Sequence, residues 1–390
     1  MSKTTLLTIA ILGLVTVIVA LSNVAPASAV RIAIVTDGHW DENKTIRSLF
    51  ESEIITLAED EFDVEFVDID RCEADWTLEG IREILDNMFS DASVDIVVTL
   101  GAISSHVVCL MADIPKPVVA AAVIDATFQQ LPESNGTSGI KNLNYLTFPD
   151  NTTRDIAVFS EIVPFEHLAV ISNKRFLDAI PNIRAHIGPE MTEMGIRRTF
   201  VPVDTSIDEA WDQMPPDVDA VYVVPLHHLP AVELERLADG LIERKLPSFS
   251  LWVLSDVEAG ILATINHDII PRLARATALN IQRVMLGEDP GTLPVAYTPG
   301  EKLVVNMATA RAINVYPPWS VLTEAELLNV QRENIDRVIS IEDAAREAIN
   351  VNLDLSARSK FVSAGAKDVD VARSFLLPQV DLSMLGIQID

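Results

Sequence analysis

Thr36, Asp37 and His39, Ser104 and Ser105, Asp125, Ser172 and Asn173, and His227 and His228 are the side chains of this sequence best placed for chemistry. They are hydroxyls, amides, carboxylates and imidazoles, the polar types that orient a small molecule inside an otherwise apolar pocket. Each lies just after a short apolar run, where helix caps and turn residues also collect, so capping remains an alternative for every one of them. Ser104-Ser105 opens a helical stretch, and Asp125 could cap the turn after its strand. His227-His228 has the composition of a metal pair, but adjacent residues do not share a helix face and no third ligand accompanies them. No metal and no cofactor is expected. An enzyme could use Asp37, His39 or His227. The sequence nevertheless lacks G-x-S-x-G, a Walker glycine loop, G-x-G-x-x-G and H-E-x-x-H, so the expectation is a non-enzymatic binder. Trp40, Phe128 and Trp252, near strand ends, would suit an apolar or aromatic molecule, and core packing accounts for them equally well.

The elements that must position these groups alternate. Arg31–Val35, Val64–Ile69, Asp95–Leu100 and Pro117–Val123 read as buried strands, with helical spacing over Asn43–Glu59 and Leu78–Met88. Near-continuous apolar strands alternating with helices imply a parallel sheet covered on both faces. Asn135-Gly136-Thr137-Ser138-Gly139 interrupts the pattern. A second alternation follows, with strands over His167–Ser172, Arg198–Val203, Ala220–Val224 and Ser248–Val253. Its helices fall at about Arg154–Ile162, Arg175–Ile187, Ile207–Gln213 and Ala231–Arg244. The expected fold class is α/β, with two doubly wound parallel-sheet lobes, a hinge and an interlobe cleft. Ligands of such sheets sit beyond the carboxyl ends of the strands, which is where the polar residues above fall.

Composition narrows the function. The formal net charge is -28 over 390 residues, spread along the chain, and no basic patch is present to contact phosphates, so nucleic acid is excluded as a partner. Lys3, the apolar run Leu6–Leu21 and Ala27-Ser28-Ala29 make a secretory signal over residues 1–29, with a mature start at Val30. The run approaches the length of a membrane anchor, but the Pro26 break before Ala-Ser-Ala favours cleavage. The 2 cysteines, Cys72 and Cys109, could pair in an oxidising compartment, although Cys109 lies in an apolar run that suits a buried thiol.

Asp95-Ile-Val-Val-Thr-Leu-Gly101, Ile114-Pro-Lys-Pro-Val118 and Ile124-Asp125 resemble the periplasmic ABC-transporter substrate-binding proteins of the type I fold, closest to the tryptophan-type receptors. Gly260-Ile-Leu-Ala-Thr264, Leu286-Gly287-Glu288, Leu293-Pro294, Leu303 to Ala310 and Asn314-Val-Tyr-Pro-Pro318 continue the family's order, so the resemblance spans about Arg31 to Glu326. It implies a hinge-bending receptor with chain crossings near Tyr145, Gly260 and Leu293. Lobe 1 would comprise 30–147 plus about 261–290, and lobe 2 would comprise 148–260 plus about 291–326. One departure concerns the ligand: Asp37-Gly-His-Trp-Asp-Glu42 stands where the family carries a G-Y-x-E-G-like segment.

The tail, 327–390, carries a second resemblance. Ser340 to Ala345, Asn350, Leu353, Ala372-Arg373-Ser374 and Leu376 to Ser383 are similar to the opening of a TolC-like outer-membrane efflux protein, a long helix leading into a first strand. Val380, Leu382 and Met384 alternate with polar residues as such a strand would. The resemblances together imply a periplasmic solute-binding domain joined to an efflux component, outer-membrane-associated if the channel is complete. Expected partners are a small-molecule ligand, an ABC permease or efflux-pump inner-membrane and adaptor proteins, and, for a complete channel, a homotrimer. The alternative is a stand-alone importer receptor with an incidental tail.

Overall fold

The computed structural model describes residues 29–40, 42–127, 129–147, 151–180, 182–186, 188–266, 269–297, 302–330, 340–343, 346–347 and 353–376. The signal segment (Ala29 excepted), Phe128 and the strand expected around Val380–Met384 lie outside the described residues.

Short, β-branched, apolar runs form the strands, and the order in which they pair creates the cleft. β1 (Val30–Val35), β2 (Val64–Phe66), β3 (Ile96–Thr99), β4 (Val118–Ala120) and β5 (Leu143–Tyr145) make a parallel sheet in the order β2-β1-β3-β4-β5. The chain leaves β1 in one direction to β2 and in the other to β3, so a crevice opens beyond the ends of β1 and β3. β6 (His167–Asn173), β7 (Arg197–Val203), β8 (Ala220–Val223), β9 (Ser248–Ser250), β10 (Ala263–Asn266), β11 (Lys302–Asn306) and β12 (Glu326–Leu328) make the second sheet. Its order is β12-β11-β10-β9-β8-β6-β7, parallel except where β10 meets β11. Here the switch point lies between β6 and β8. The two sheets and their helices belong to one compact unit that ends at Val330.

Each sheet is sealed by helices whose apolar stripes match its faces. Ile32, Ile34, Val98 and Val119 pack with Phe50 and Ile54 of the Asn43–Ala58 helix and with Ala274, Ala278 and Ile281 of the Ile269–Met285 helix. That late helix therefore covers the first sheet, bound to its neighbour through Gln282 to the Leu57 carbonyl at 2.7 Å and Arg275 to Glu53 at 2.8 Å. Phe50 and Ile54 are each 1% exposed, a burial that stabilises by about 1.5–3 kcal/mol per side chain. In the second lobe Ile171, Val201, Val221 and Val223 pack with Leu237 and Leu241 of the Ala231–Glu243 helix.

Several expected boundaries shift for local reasons. The second strand stops at Phe66, because the Asp68 carboxylate accepts the Asp70 N–H and starts a turn of 3-10 helix over Ile69–Arg71. The helix expected over Arg175–Ile187 is observed as Lys174–Ala179, Ile183–His186 and Gly188–Glu193, the first piece ending because Ile180, which precedes a proline in the sequence, leaves the helical region at φ -122°. The crossing expected near Gly260 comes later. Gly260, at φ 126°, ends the Leu254–Ala259 helix, and the chain then runs on through β10. Asn135-Gly136 is a tight turn between Ser134 and Thr137, with Gly136 at φ 78°. β12 carries the second sheet past residue 326, pairing Glu326–Leu328 with Val304–Asn306. Cys72 and Cys109 are both buried and free.

The tail, taken by itself, contains a Leu353–Ser374 helix with Phe361, Val362 and Val369 exposed. No helix among the described residues is long and apolar enough to cross a membrane.

Asn144 pins the strand that returns from the first lobe. Its amide donates to the Leu293 and Pro294 carbonyls at 3.3 and 3.2 Å and accepts from Asn280 at 2.8 Å, and Asn144 itself is fully buried. Replacing Asn144 with Ala strands these groups, and chemical denaturation should show a loss of about 2–3 kcal/mol.

Candidate functional site

The loops after β1 and β3 are joined by a single carboxylate. Asp37 accepts the Ile103 N–H at Oδ2 (2.8 Å) and the Ser104 N–H at Oδ1 (2.7 Å), capping the Ala102–Cys109 helix from a distant part of the chain. Gly101 makes room for this, since a Cβ there would stand 1.9 Å from the Asp37 Oδ1. Burial pushes the Asp37 pKa up, against the opposing pull of its hydrogen bonds. Gly38 serves the same loop, because a Cβ would meet the Trp76 ring at 2.3 Å. Trp76 is held by its backbone N–H to the Asp37 carbonyl at 2.6 Å and by its indole N–H to the His39 carbonyl at 3.1 Å.

The second lobe supplies the opposite wall. Asn173 ends β6 and caps the next helix by accepting the Arg175 N–H at 2.8 Å. His227 follows β8, and Trp252 follows β9. Trp76 and Trp252 both sit in the left-handed backbone region, at φ 67° and 66°. Bulky residues rarely adopt it, and such conformations cost about 1–3 kcal/mol and gather at ligand clamps.

Between these walls lies a cleft of about 210 Å³. Trp40, Trp76 and Thr36 line it from the first lobe, and Asn173, His227 and Trp252 from the second. Phe176, Leu251, Ile270 and Leu273 add apolar surface, and Asp37 is the one carboxylate among the described lining residues. Thr36 Oγ1 is buried without a hydrogen-bond partner, an unused polar atom of the kind a ligand satisfies. Contacts also cross the cleft: Trp40 stacks on His227 with ring centroids 3.8 Å apart, Trp76 meets His228 edge-on at 6.1 Å, and Arg175 donates to the Asp75 carbonyl at 3.0 Å.

The structure thus brings Thr36, Asp37, Asn173 and His227 to one cleft and places the other sequence candidates elsewhere. His39 is exposed and bonded to Glu73 at 3.1 Å. Ser104 Oγ donates back to the Gly101 carbonyl at 3.2 Å, as a residue of the helix's first turn does. Ser105 is buried against Thr99 Oγ1 at 2.8 Å. Asp125 accepts the Thr127 N–H at 2.8 Å, a turn contact. Ser172, fully buried with an unpartnered hydroxyl, faces a small pocket of about 20 Å³ beneath the cleft, with Thr152, Phe176 and Tyr222. His228 is directed to the Val203 carbonyl at 3.1 Å. Sequence reading missed Trp76, because it lies well after β2 rather than at a strand end and reaches the cleft only by a left-handed turn. The Asp75-Trp76-Thr77 capping sequence is the signal that a turn was there. Among the described residues no three His, Cys, Asp or Glu side chains gather as metal ligands.

Two parallel-sheet lobes with a ligand-sized cleft at their paired switch points define a type I binding-protein fold. The chain belongs to the ABC transporter substrate binding protein family, whose model matches residues 57–328. A conserved domain protein from Vibrio cholerae is similar in fold, at TM-score 0.61 and 19% identity, over 77% of this chain and 99% of that one. So is an ABC domain from Streptococcus pneumonia in complex with L-Trp, at 0.60 and 19%, over 76% and 100%. A ligand-free, open substrate binding protein with adhesive properties from Clostridium difficile follows at 0.51 and 17%, over 78% and 100%. No curated protein matches the chain.

His227 gives the cleft a pH dependence. Burial, with a contribution from His228, pushes its pKa down to about 4. The contacts that bury it require the neutral ring, so their stabilisation is fully present above the ordinary histidine value of about 6.5 and is lost as pH falls towards 4. Asp256 is pushed up to about 6 by burial, with Glu42 adding to it, and works in the opposite sense because acid neutralises it. The wild type should therefore open relative to His227→Phe as pH falls through this window, read as a growing difference in radius of gyration by solution scattering. Superimposable profiles would contradict the role given to His227.

Proposed function

We propose that this chain is a periplasmic solute receptor of an ABC transporter, capturing a compact, flat and largely apolar small molecule between its lobes and passing it to a permease. The observation that carries this reading is the cleft itself, walled by Trp40 and Trp76 on one lobe and Trp252 on the other. Flat aromatic walls with few polar groups select for shape and apolar surface, with the polar atoms fixing orientation. The family match and the similarity to a domain solved in complex with L-Trp support it. Binding without turnover fits the same geometry: Asp37 is held against the helix N-terminus by two N–H groups, and His39 is bonded to Glu73 and does not line the cleft. Strand pairing moves our division of the receptor from 261–290 and 291–326: lobe 1 is 30–147 plus about 269–297, and lobe 2 is 148–266 plus about 302–328, because β10 pairs with β9 and Leu293 packs in the first-sheet core.

The stand-alone receptor accounts for these findings better than a fusion to an efflux channel. The family match ends at residue 328, and no match supports a TolC-like module in the tail. The outer-membrane location, the adaptor partners and the homotrimer rest on that resemblance alone.

Thermal-shift screening of amino acids, amines, peptides, nucleosides and sugars should yield a binder. At one hundred times its dissociation constant that binder adds about 2.7 kcal/mol of stability. Trp252→Ala should weaken it at least tenfold by calorimetry, a change of about 1.4 kcal/mol. An undiminished affinity in that variant would overturn the reading.

A further inference from the structure

Resting on that reading, we propose that the cleft is built for an organic cation, a protonated amine carried on a flat apolar or aromatic body, and not for a ligand whose head group is a free carboxylate. The N-terminus of a helix at a cleft floor is where a binding protein can receive an anion, through backbone N–H groups and the helix dipole. Here that position is filled by the chain's own carboxylate. The Ile103 and Ser104 N–H groups are spent on Asp37 at 2.8 and 2.7 Å, and the absence of a side chain at Gly101 admits it there. An incoming carboxylate would find both donors occupied and a like charge beside them.

The rest of the lining agrees. No Lys or Arg is among the described residues that line the cleft. Arg175, close in sequence to the lining residues Asn173 and Phe176, is engaged by Asp204 at 2.9 Å and by the Asp75 carbonyl. Trp40, Trp76 and Trp252 present the ring type that attracts a cation most strongly. Asp37 lines the cleft at 4% exposure and burial raises its pKa, so its charge is poorly solvated by water and gains most from a cation beside it. Thr36 Oγ1, buried and unpartnered, offers an acceptor for an ammonium N–H. The net charge of -28 raises the concentration of cations near the whole molecule.

The test is calorimetry on the full chain with four molecules that share one indole ring: tryptamine, indole, L-tryptophan and indole-3-acetate. Tryptamine should bind at least tenfold tighter than either carboxylate-bearing compound and several-fold tighter than indole. Asp37→Asn should remove that advantage of tryptamine over indole. If that variant does not fold, as read by circular dichroism, the wild-type ranking decides alone. L-Tryptophan or indole-3-acetate binding as tightly as tryptamine would overturn the cation inference and leave the receptor reading standing. Indole matching tryptamine would do the same. Binding by none of the four would overturn the inference together with the aromatic reading of the cleft.

Discussion

The Asp37 carboxylate against the Ile103 and Ser104 N–H groups is the contact on which the cleft depends. Parallel strands deliver the loops after β1 and β3 to the same edge of the sheet but do not by themselves fix how the loops meet. Asp37 does so, across 66 and 67 residues of sequence, by satisfying two helix N-terminal donors at once. The geometry then propagates. Asp37's backbone carbonyl holds the Trp76 N–H, and Gly38 leaves the space the Trp76 ring fills. Trp40, three residues on from Asp37, reaches His227 in the other lobe. One buried carboxyl group thus sets the floor of the site and part of its wall.

One apolar cluster runs through both lobes, from Val97 and Tyr145 of the first sheet to Leu168 and Tyr222 of the second, and modest, separable contacts add to it around the cleft. A stacked ring pair, an edge-on pair, one arginine to a backbone carbonyl and Asn182 to Gln130 at 2.8 Å cross between the lobes. Aromatic pairs of this kind contribute about 0.5–1.5 kcal/mol beyond the area they bury. A ligand filling the cleft would add contacts to both walls and so favour the closed arrangement by its differential affinity for it. The left-handed backbones of Trp76 and Trp252 fit the same picture, because strain held at a clamp is relieved or repaid when the clamp is filled.

The alternation of apolar strands and helices made the two lobes legible from sequence, because buried parallel strands such as Ile96–Thr99 leave an unbroken apolar signature. Helix-coverage errors came where a local breaker outweighed periodicity, as where Ile180 precedes a proline, and strand errors where three-residue edge strands such as β5 and β12 carry too little pattern. For the site, position after a strand identified Thr36, Asp37, Asn173 and His227 but also gathered Ser104, Ser105 and Asp125, whose hydroxyls and carboxylate serve the backbone instead. Capping and ligand binding demand the same residue types at the same places, so only the three-dimensional partner separates them. Trp76 escaped altogether, since its approach to the cleft is a property of one φ angle.

A crystal structure of the protein with the tightest small molecule from a solute screen tests the central claim most directly. The account predicts one molecule between the lobes, in contact with Trp76 on one side and Trp252 on the other, with Asp37 still seated on the Ile103 and Ser104 N–H groups. Density for the molecule on an outer face, with the cleft unfilled, would contradict it.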